Sequence, residues 1–338
     1  MPTRTASPGH PPGGCLTTGR AIKQFRATSR VVRSGPVDLA VRHMGDEGPS
    51  LVVVHGLGDT QRSWDRVVHH LASRFRLVTY DLRGHGRSSS GGPYAIDTLV
   101  ADLAAVIDNL GVPHPLLVGH SLGALVAAEY AAAHTCAGLI GVEGGLALKR
   151  PPMDWEDLAA HAAKPASRLM SRALISLGLG SRLSVAEMRH LTEDVERHER
   201  QLGQAYRRMQ CPMLVLLGTK PDRIPGSQAI REAVRTSAER IRLTHPEVEI
   251  SWLDSGHMIP LQRPRELASL IIDFAAASQL RRCGHGRIEG SNPSFPANPI
   301  PSDPCSPPHH STWTALTVRW CTLTRFPSAG QVRQIETR

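Results

Sequence analysis

Ser121 stands in Gly119-His120-Ser121-Leu122-Gly123, directly after the apolar run Leu116-Leu117-Val118 and directly before an alanine-rich stretch of helical character. That strand–turn–helix context gives a GxSxG pattern its chemical meaning. A serine at the tip of so sharp a turn must adopt a strained backbone. The residues two before and two after it approach too closely for side chains, and glycine at 119 and 123 relieves the crowding. The helix that follows directs the partial positive charge of its N-terminus at any anion forming on the serine. A hydroxyl presented in this way suits nucleophilic catalysis through a covalent acyl intermediate. The reaction also needs a base to accept the serine proton, and with 17 histidines in the chain no single one stands out by composition.

The elements that must hold such a serine are legible as alternating strand-like and helix-like segments. Val37–His43 alternates apolar and polar residues, whereas Leu51-Val52-Val53-Val54 is a continuous apolar run of the kind a strand buried on both faces requires. Helix-like Trp64–Leu71, strand-like Leu77–Tyr80, a helix around Ile96–Leu110, the strand Leu116–Val118, a helix Ala124–His134 and a strand Leu139–Val142 follow. After an interruption the pattern resumes with strand Met213–Leu217, helix Gln228–Ala238, strand Val248–Leu253 and helix Glu266–Phe274. Strands separated by helices at this spacing imply right-handed crossovers and an α/β fold, a mostly parallel central sheet flanked by helices. The interruption, residues 149–208, reads as a helical lid. Ser184-Val185-Ala186-Glu187 fits a capping box, and Val185, Met188, Leu191, Val195, Leu202, Tyr206 and Met209 recur at helical spacing. Glu193/Arg197 and Glu196/Arg200 are expected as ion pairs on the opposite face. A shorter helix through Leu169, Met170, Leu174 and Leu177 ends at Gly178 and Gly180. The core is thus expected in two parts, 34–148 and 209–277.

Taken together, residues 36–277 resemble the α/β-hydrolase superfamily, in particular its serine-nucleophile, esterase- and lipase-like members. His55-Gly56-Leu57-Gly58 resembles the family's oxyanion loop, and Asp81-Leu82-Arg83-Gly84-His85-Gly86-Arg87-Ser88 its turn after the following strand. The resemblance implies Ser121 as nucleophile and His257, in Asp254-Ser255-Gly256-His257-Met258, as general base. It implies Asp222, in Gly218-Thr219-Lys220-Pro221-Asp222-Arg223-Ile224-Pro225, as the orienting acid, completing the chain order Ser, acid, His. The match there is imperfect, because a proline and one extra residue precede Asp222. Some relatives place the acid one strand earlier, where Glu143 stands, so Glu143 is the alternative acid. The backbone N–H groups of Leu57 and Leu122 would form the oxyanion hole, each donor worth about 3 kcal/mol in the transition state. His55 and Arg83-Gly84-His85-Gly86 read as loop-packing residues, and Trp64, Met153 and Trp155 as weak candidates for lining an acyl pocket.

Composition narrows the alternatives. The net charge of +9 belongs to the ends: residues 1–33 carry six basic and no acidic side chains, and 278–338 seven basic against three acidic. The remainder, 34–277, holds 26 basic and 27 acidic residues, so the expected fold lacks the basic face of a nucleic-acid binder. Both ends, 1–33 and 278–338, are rich in residues that no packed element tolerates and are expected to lack fixed structure. No run of 18 or more apolar residues suggests a membrane span, and no signal-peptide core is evident. The six cysteines show neither zinc spacing nor a dense disulfide pattern, so a reducing, cytoplasmic setting is expected. Neither a metal nor an organic cofactor is expected, since no dinucleotide or phosphate-loop pattern occurs. The expected function is hydrolysis of a carboxylic ester or related acyl bond on a small-molecule substrate. The alternatives are a carbon–carbon bond hydrolase or perhydrolase, or a ligand-binding signalling protein of the same fold with slow turnover. A serine at 121 argues against dehalogenase and epoxide-hydrolase chemistry, which needs a carboxylate nucleophile.

Overall fold

A computed structural model describes residues 27–148, 153–222 and 227–283. The eight strands are β1 (Thr28–Ser34), β2 (Val37–Met44), β3 (Ser50–Val54), β4 (Arg76–Tyr80), β5 (Leu116–His120), β6 (Gly138–Val142), β7 (Met213–Gly218) and β8 (Val248–Leu253). They form one sheet in the order β1-β2-β4-β3-β5-β6-β7-β8. Pairing is antiparallel at β1–β2 and β2–β4 and parallel from β4 through to β8. The expected architecture, a mostly parallel sheet flanked by helices, is the one observed.

Helices α1 (Asp65–Leu71) and α9 (Pro264–Cys283) cover one face, and α2 (Ile96–Asn109), α3 (Leu122–Ala133) and α7 (Ser227–Thr244) the other. Strands β3, β5, β6 and β7 are buried along their whole length. Continuous apolar runs therefore meet an apolar layer on both sides, as parallel strands require. One apolar cluster lies on each face, with Val52, Val54, Leu117 and Leu139 pointing to one and Leu51, Val53, Leu116 and Ile140 to the other. Trp64 is fully buried in the second cluster, so it is a core residue and not part of a pocket wall.

Two boundaries differ from those expected. Residues 28–33, assigned to the N-terminal extension, form β1 together with Ser34, and α9 runs to Cys283, past 277. β1 escapes detection because four of its first residues are exposed and only Val32 and Ser34 turn inward, as befits an edge strand. The remaining residues of both extensions, 1–26 and 284–338, lie outside the described residues.

Between β6 and β7 stand α4 (Trp155–Ala163), α5 (Pro165–Ser176) and α6 (Val185–Arg208), with the short α8 (Ile259–Gln262) following β8. The capping box holds α6 as expected: Ser184 Oγ accepts from Glu187 N at 3.2 Å, and Glu187 Oε2 accepts from Ser184 N at 2.7 Å. The ion pairs, however, differ. Glu193 pairs with Arg189 at 2.9 Å, and Arg197 pairs with Asp194, which also accepts from Ile96 N at 2.7 Å. Asp194 is thus used to satisfy an N-terminal donor of α2. Helix α6 buries Leu191, Leu202, Ala205 and Tyr206 against the α2–α3 layer, so this half of 149–208 belongs to the core. Helices α4 and α5 bury no residue, and α5 leaves Leu169 and Met170 exposed. Helix α4 was not anticipated. Its signal is Asp154, whose carboxylate caps Glu156 N at 3.1 Å and Asp157 N at 2.9 Å.

Candidate active site

The register of the sheet gathers the site at the C-terminal ends of its central strands. Gly119 pairs with Val54 of β3 on one side and with Gly141 of β6 on the other. The residues just beyond these three strand ends are therefore neighbours: the loop at Leu57, the turn at Ser121, and Glu143. Ser121 N donates to Val142 O at 2.9 Å, which fixes the turn against β6.

Ser121 has φ 51° and ψ −115°, a backbone conformation open to few side-chain-bearing residues. Such a residue costs on the order of 1–3 kcal/mol, and the surrounding packing must impose it. Both flanking glycines are required by contact. A Cβ on Gly119 would strike the main chain of Gly123 and Ala124, and one on Gly123 would strike the carbonyls of Val54 and His55. Leu122 opens α3, so its N–H is a first-turn donor with no acceptor inside the helix. The apolar Leu122 side chain is buried, whereas Leu57 lies exposed in the loop after β3.

That loop is braced from below by two histidines. His55 Nε2 accepts from Leu82 N at 2.9 Å, and its Nδ1 lies 2.8 Å from Gly56 O. His85 Nε2 accepts from Gly58 N at 3.1 Å, and its Nδ1 lies 2.9 Å from Arg83 O. Each ring is thus a neutral imidazole with its proton on Nδ1, a tautomer assigned from the network. Burial, reinforced by the neighbouring His55, lowers the His85 pKa to about 3. Arg83 forms a buried fork to Asp102, both contacts 2.6 Å, and anchors the second loop to α2. These residues support the loop after β3 through its main chain.

The carboxylate that meets the His257 ring is not the one expected first. The carboxylate on the His257 ring is that of Glu143, with Nδ1 to Oε2 at 3.1 Å. Asp222 Oδ1 instead accepts from the His257 main-chain N–H at 3.0 Å. Among the described residues the Asp222 carboxylate thus meets the backbone of the His257 loop and not its ring. Glu143 has φ 51°, directly after β6, and its N–H is held by Leu216 O at 2.8 Å. The longer side chain then spans the end of β7, where Gly218 N donates to Oε1.

A residue the sequence did not single out completes this arrangement. Arg231 of α7 grips Glu143 through Nη1 to Oε1 at 2.9 Å and Nη2 to Oε2 at 3.2 Å, and also donates to Gly218 O at 2.8 Å. Both side chains are nearly fully buried, 3% and 2% exposed. Burial alone would raise the Glu143 pKa. Its hydrogen bond and charge interaction with His257, and those with Arg231, overcome this and hold it at about 2. The His257 side chain remains 35% exposed, open toward solvent on the side away from Glu143.

His120 also contacts His257. Its Nε2 lies 2.9 Å from His257 O, and the two rings are tilted with centroids 4.8 Å apart. Burial, helped by the adjacent His257, lowers the His120 pKa to about 3, so the ring is neutral, and the carbonyl acceptor requires its one proton on Nε2. His120→Phe leaves the His257 carbonyl without its donor, at a cost of about 1–3 kcal/mol. The expected result is a fall in kcat of about tenfold with KM little changed, and partial recovery in His120→Gln. Steady-state kinetics of the two variants check it.

Residues 51–270 match the Alpha/beta hydrolase family. The chain belongs to the alpha/beta hydrolase family. Among proteins similar to this alpha/beta hydrolase is lipase LipV of Mycobacterium tuberculosis, 29% identical over 255 residues, covering 70% of this chain and 97% of the lipase. The magnesium-chelatase 30 kDa subunit of Rhodobacter capsulatus is 26% identical over 275 residues, covering 74% of this chain and 95% of that protein. Of solved structures, one assigned as an aryl esterase from Burkholderia cenocepacia aligns with a TM-score of 0.58 at 25% identity, over 75% of this chain and all of that one. No helix among the described residues of this alpha/beta hydrolase is long and apolar enough to cross a membrane.

Proposed function

We propose that this hydrolase cleaves a carboxylic ester or related acyl bond through an acyl-enzyme on Ser121, with His257 as general base and Glu143 as the orienting acid. Ser121 Oγ attacks the acyl carbon as His257 Nε2 accepts its proton. The tetrahedral oxyanion is held by the N–H groups of Leu57 and Leu122 and by the N-terminus of α3. His257 returns the proton to the leaving group, then activates water to release the acid and free Ser121. Glu143 remains ionised throughout, keeps the His257 proton on Nδ1, and stabilises the imidazolium that forms. Asp222 holds the His257 loop by its main chain. Helices α4 and α5, which bury nothing and lie between β6 and β7, serve as a lid, and Arg182 ties their downstream end to Ser88 O at 2.9 Å. The similarity to a lipase and to an aryl esterase supports an ester substrate.

The single observation that carries this reading is a strained serine between two glycines, at the strand ends where a carboxylate-bearing histidine also sits. A fluorophosphonate probe tests it directly. Labelling is expected in the native protein and is expected to vanish in Ser121→Ala, alongside turnover of at least one p-nitrophenyl ester by the native protein. Folded protein that takes up no label would refute Ser121 as an activated nucleophile.

A further inference from the structure

The chain carries a cysteine just before each of two neighbouring parallel strands, β6 and β7. Cys136 lies in the turn between α3 and β6, and Cys211 two residues before β7. Their Sγ atoms are 3.2 Å apart although 75 residues separate them in sequence. The contact is built by the sheet. Ala137 N donates to Pro115 O at 2.9 Å and Leu139 N to Pro212 O at 3.0 Å, so both approaches are pinned by main-chain hydrogen bonds to neighbouring strands. Cys136 is buried, and Cys211 is partly exposed. A covalent S–S bond needs the sulfurs only about 1 Å closer, within reach of small side-chain rotations.

From this juxtaposition we propose that Cys136 and Cys211 form an intramolecular disulfide when the protein meets a low-molecular-weight disulfide, and that the bond clips the N-terminal ends of β6 and β7 together. The accessible partner reacts first. The Cys211 thiolate attacks one sulfur of the external disulfide, forms a mixed disulfide and expels one thiolate. Cys136, as its thiolate, then attacks the Cys211 sulfur, closes the protein disulfide and expels the second thiolate. The protein loses two electrons and two protons, and the external disulfide is reduced to two thiols.

The bond would close a loop that contains Glu143 and all of α4, α5 and α6. It lies at the N-terminal ends of β6 and β7, whereas Glu143 and Gly218 occupy their C-terminal ends, about 17 Å away along a five-residue strand. The clip therefore acts on stability and leaves the geometry of the site in place. A reducing setting, expected from the cysteine spacing, keeps the thiols open. An oxidising one closes them.

The full chain is equilibrated with excess glutathione disulfide or with dithiothreitol, quenched with N-ethylmaleimide under denaturing conditions, and digested for mass analysis, while Tm is read on parallel samples. The expected result is a Cys136–Cys211 linked peptide in the oxidised sample. Tm is expected to be about 5–10 °C higher than in the reduced sample, with no such difference in Cys211→Ser. Recovery of both cysteines as alkylated thiols, or persistence of a glutathione adduct on Cys211, would overturn the disulfide. A linked peptide without a Tm difference, or an equal difference in Cys211→Ser, would overturn the clip.

Discussion

Glu143→Gln is expected to lower kcat for an ester substrate by about a thousandfold to ten-thousandfold, and Asp222→Asn by less than about tenfold. Glutamine preserves the shape of the Glu143 side chain but carries no charge. It cannot stabilise the imidazolium on His257, and its amide can present N–H to Nδ1 and force the wrong tautomer. The size of the effect is that of removing the orienting carboxylate from a serine triad, with KM little affected because substrate binding does not use Glu143. Asp222 contacts the His257 main-chain N–H at 3.0 Å, a bond that the amide oxygen of asparagine can also accept. Its removal slackens the loop without changing the charge on the ring. Steady-state kinetics of the two variants decide the matter, with circular dichroism to verify folding. A large loss in Asp222→Asn together with near-native activity in Glu143→Gln would return the role of acid to Asp222.

The contrast between these two carboxylates shows what the sequence carries and what it does not. The serine turn is a local device: its strain, its glycines and its flanking strand and helix all lie within about ten residues, so the pattern is readable without the fold. The buried strands are equally local, since a run such as Leu51–Val54 tolerates water on neither face. The carboxylate that meets His257 is a long-range contact, 114 residues from Glu143 to His257 and 88 from Glu143 to Arg231. Nothing near Glu143 in sequence reveals that its backbone turns left-handed, or that α7 will bring a guanidinium to it. The one local hint was negative, the proline and extra residue before Asp222. Helix α6 shows the same division. Its cap and its apolar spacing were legible, but its ion pairs were not, because Asp194 is drawn to the start of α2 by tertiary packing. The approach of Cys136 to Cys211 is likewise a product of sheet order, since β6 and β7 are neighbours in the sheet although three helices separate them along the chain.

Arg231→Met is expected to cost about 3–5 kcal/mol of stability and to move the acid-unfolding transition to higher pH. The Arg231–Glu143 pair is buried, and removing one partner leaves the other as a poorly compensated charge in a low-dielectric site. The sign of the pH effect follows from Glu143, whose pKa is lowered from 4.5 to about 2 in the folded chain. A group depressed on folding stabilises the native state when ionised, so its contribution is fully present above about pH 5. It is lost as pH falls through the window from 4.5 toward 2, and amounts to roughly 3 kcal/mol in the native protein. Methionine removes the guanidinium but not the burial that opposes ionisation, so the folded-state pKa of Glu143 rises and the contribution shrinks. Stability should then begin to fall at a higher pH than in the native protein. Arg231→Lys keeps the charge but not the fork that spans both carboxylate oxygens and Gly218 O, and should lie between the two. Urea unfolding at a series of pH values checks all three proteins. An Arg231→Met curve that parallels the native one in both height and acid midpoint would mean that Glu143 draws its ionisation from His257 alone. Because the same carboxylate holds the ring of His257, the proposed base, the variant should also lose kcat while His257 keeps its place in the fold, which would link the stability of α7 to the chemistry proposed at Ser121.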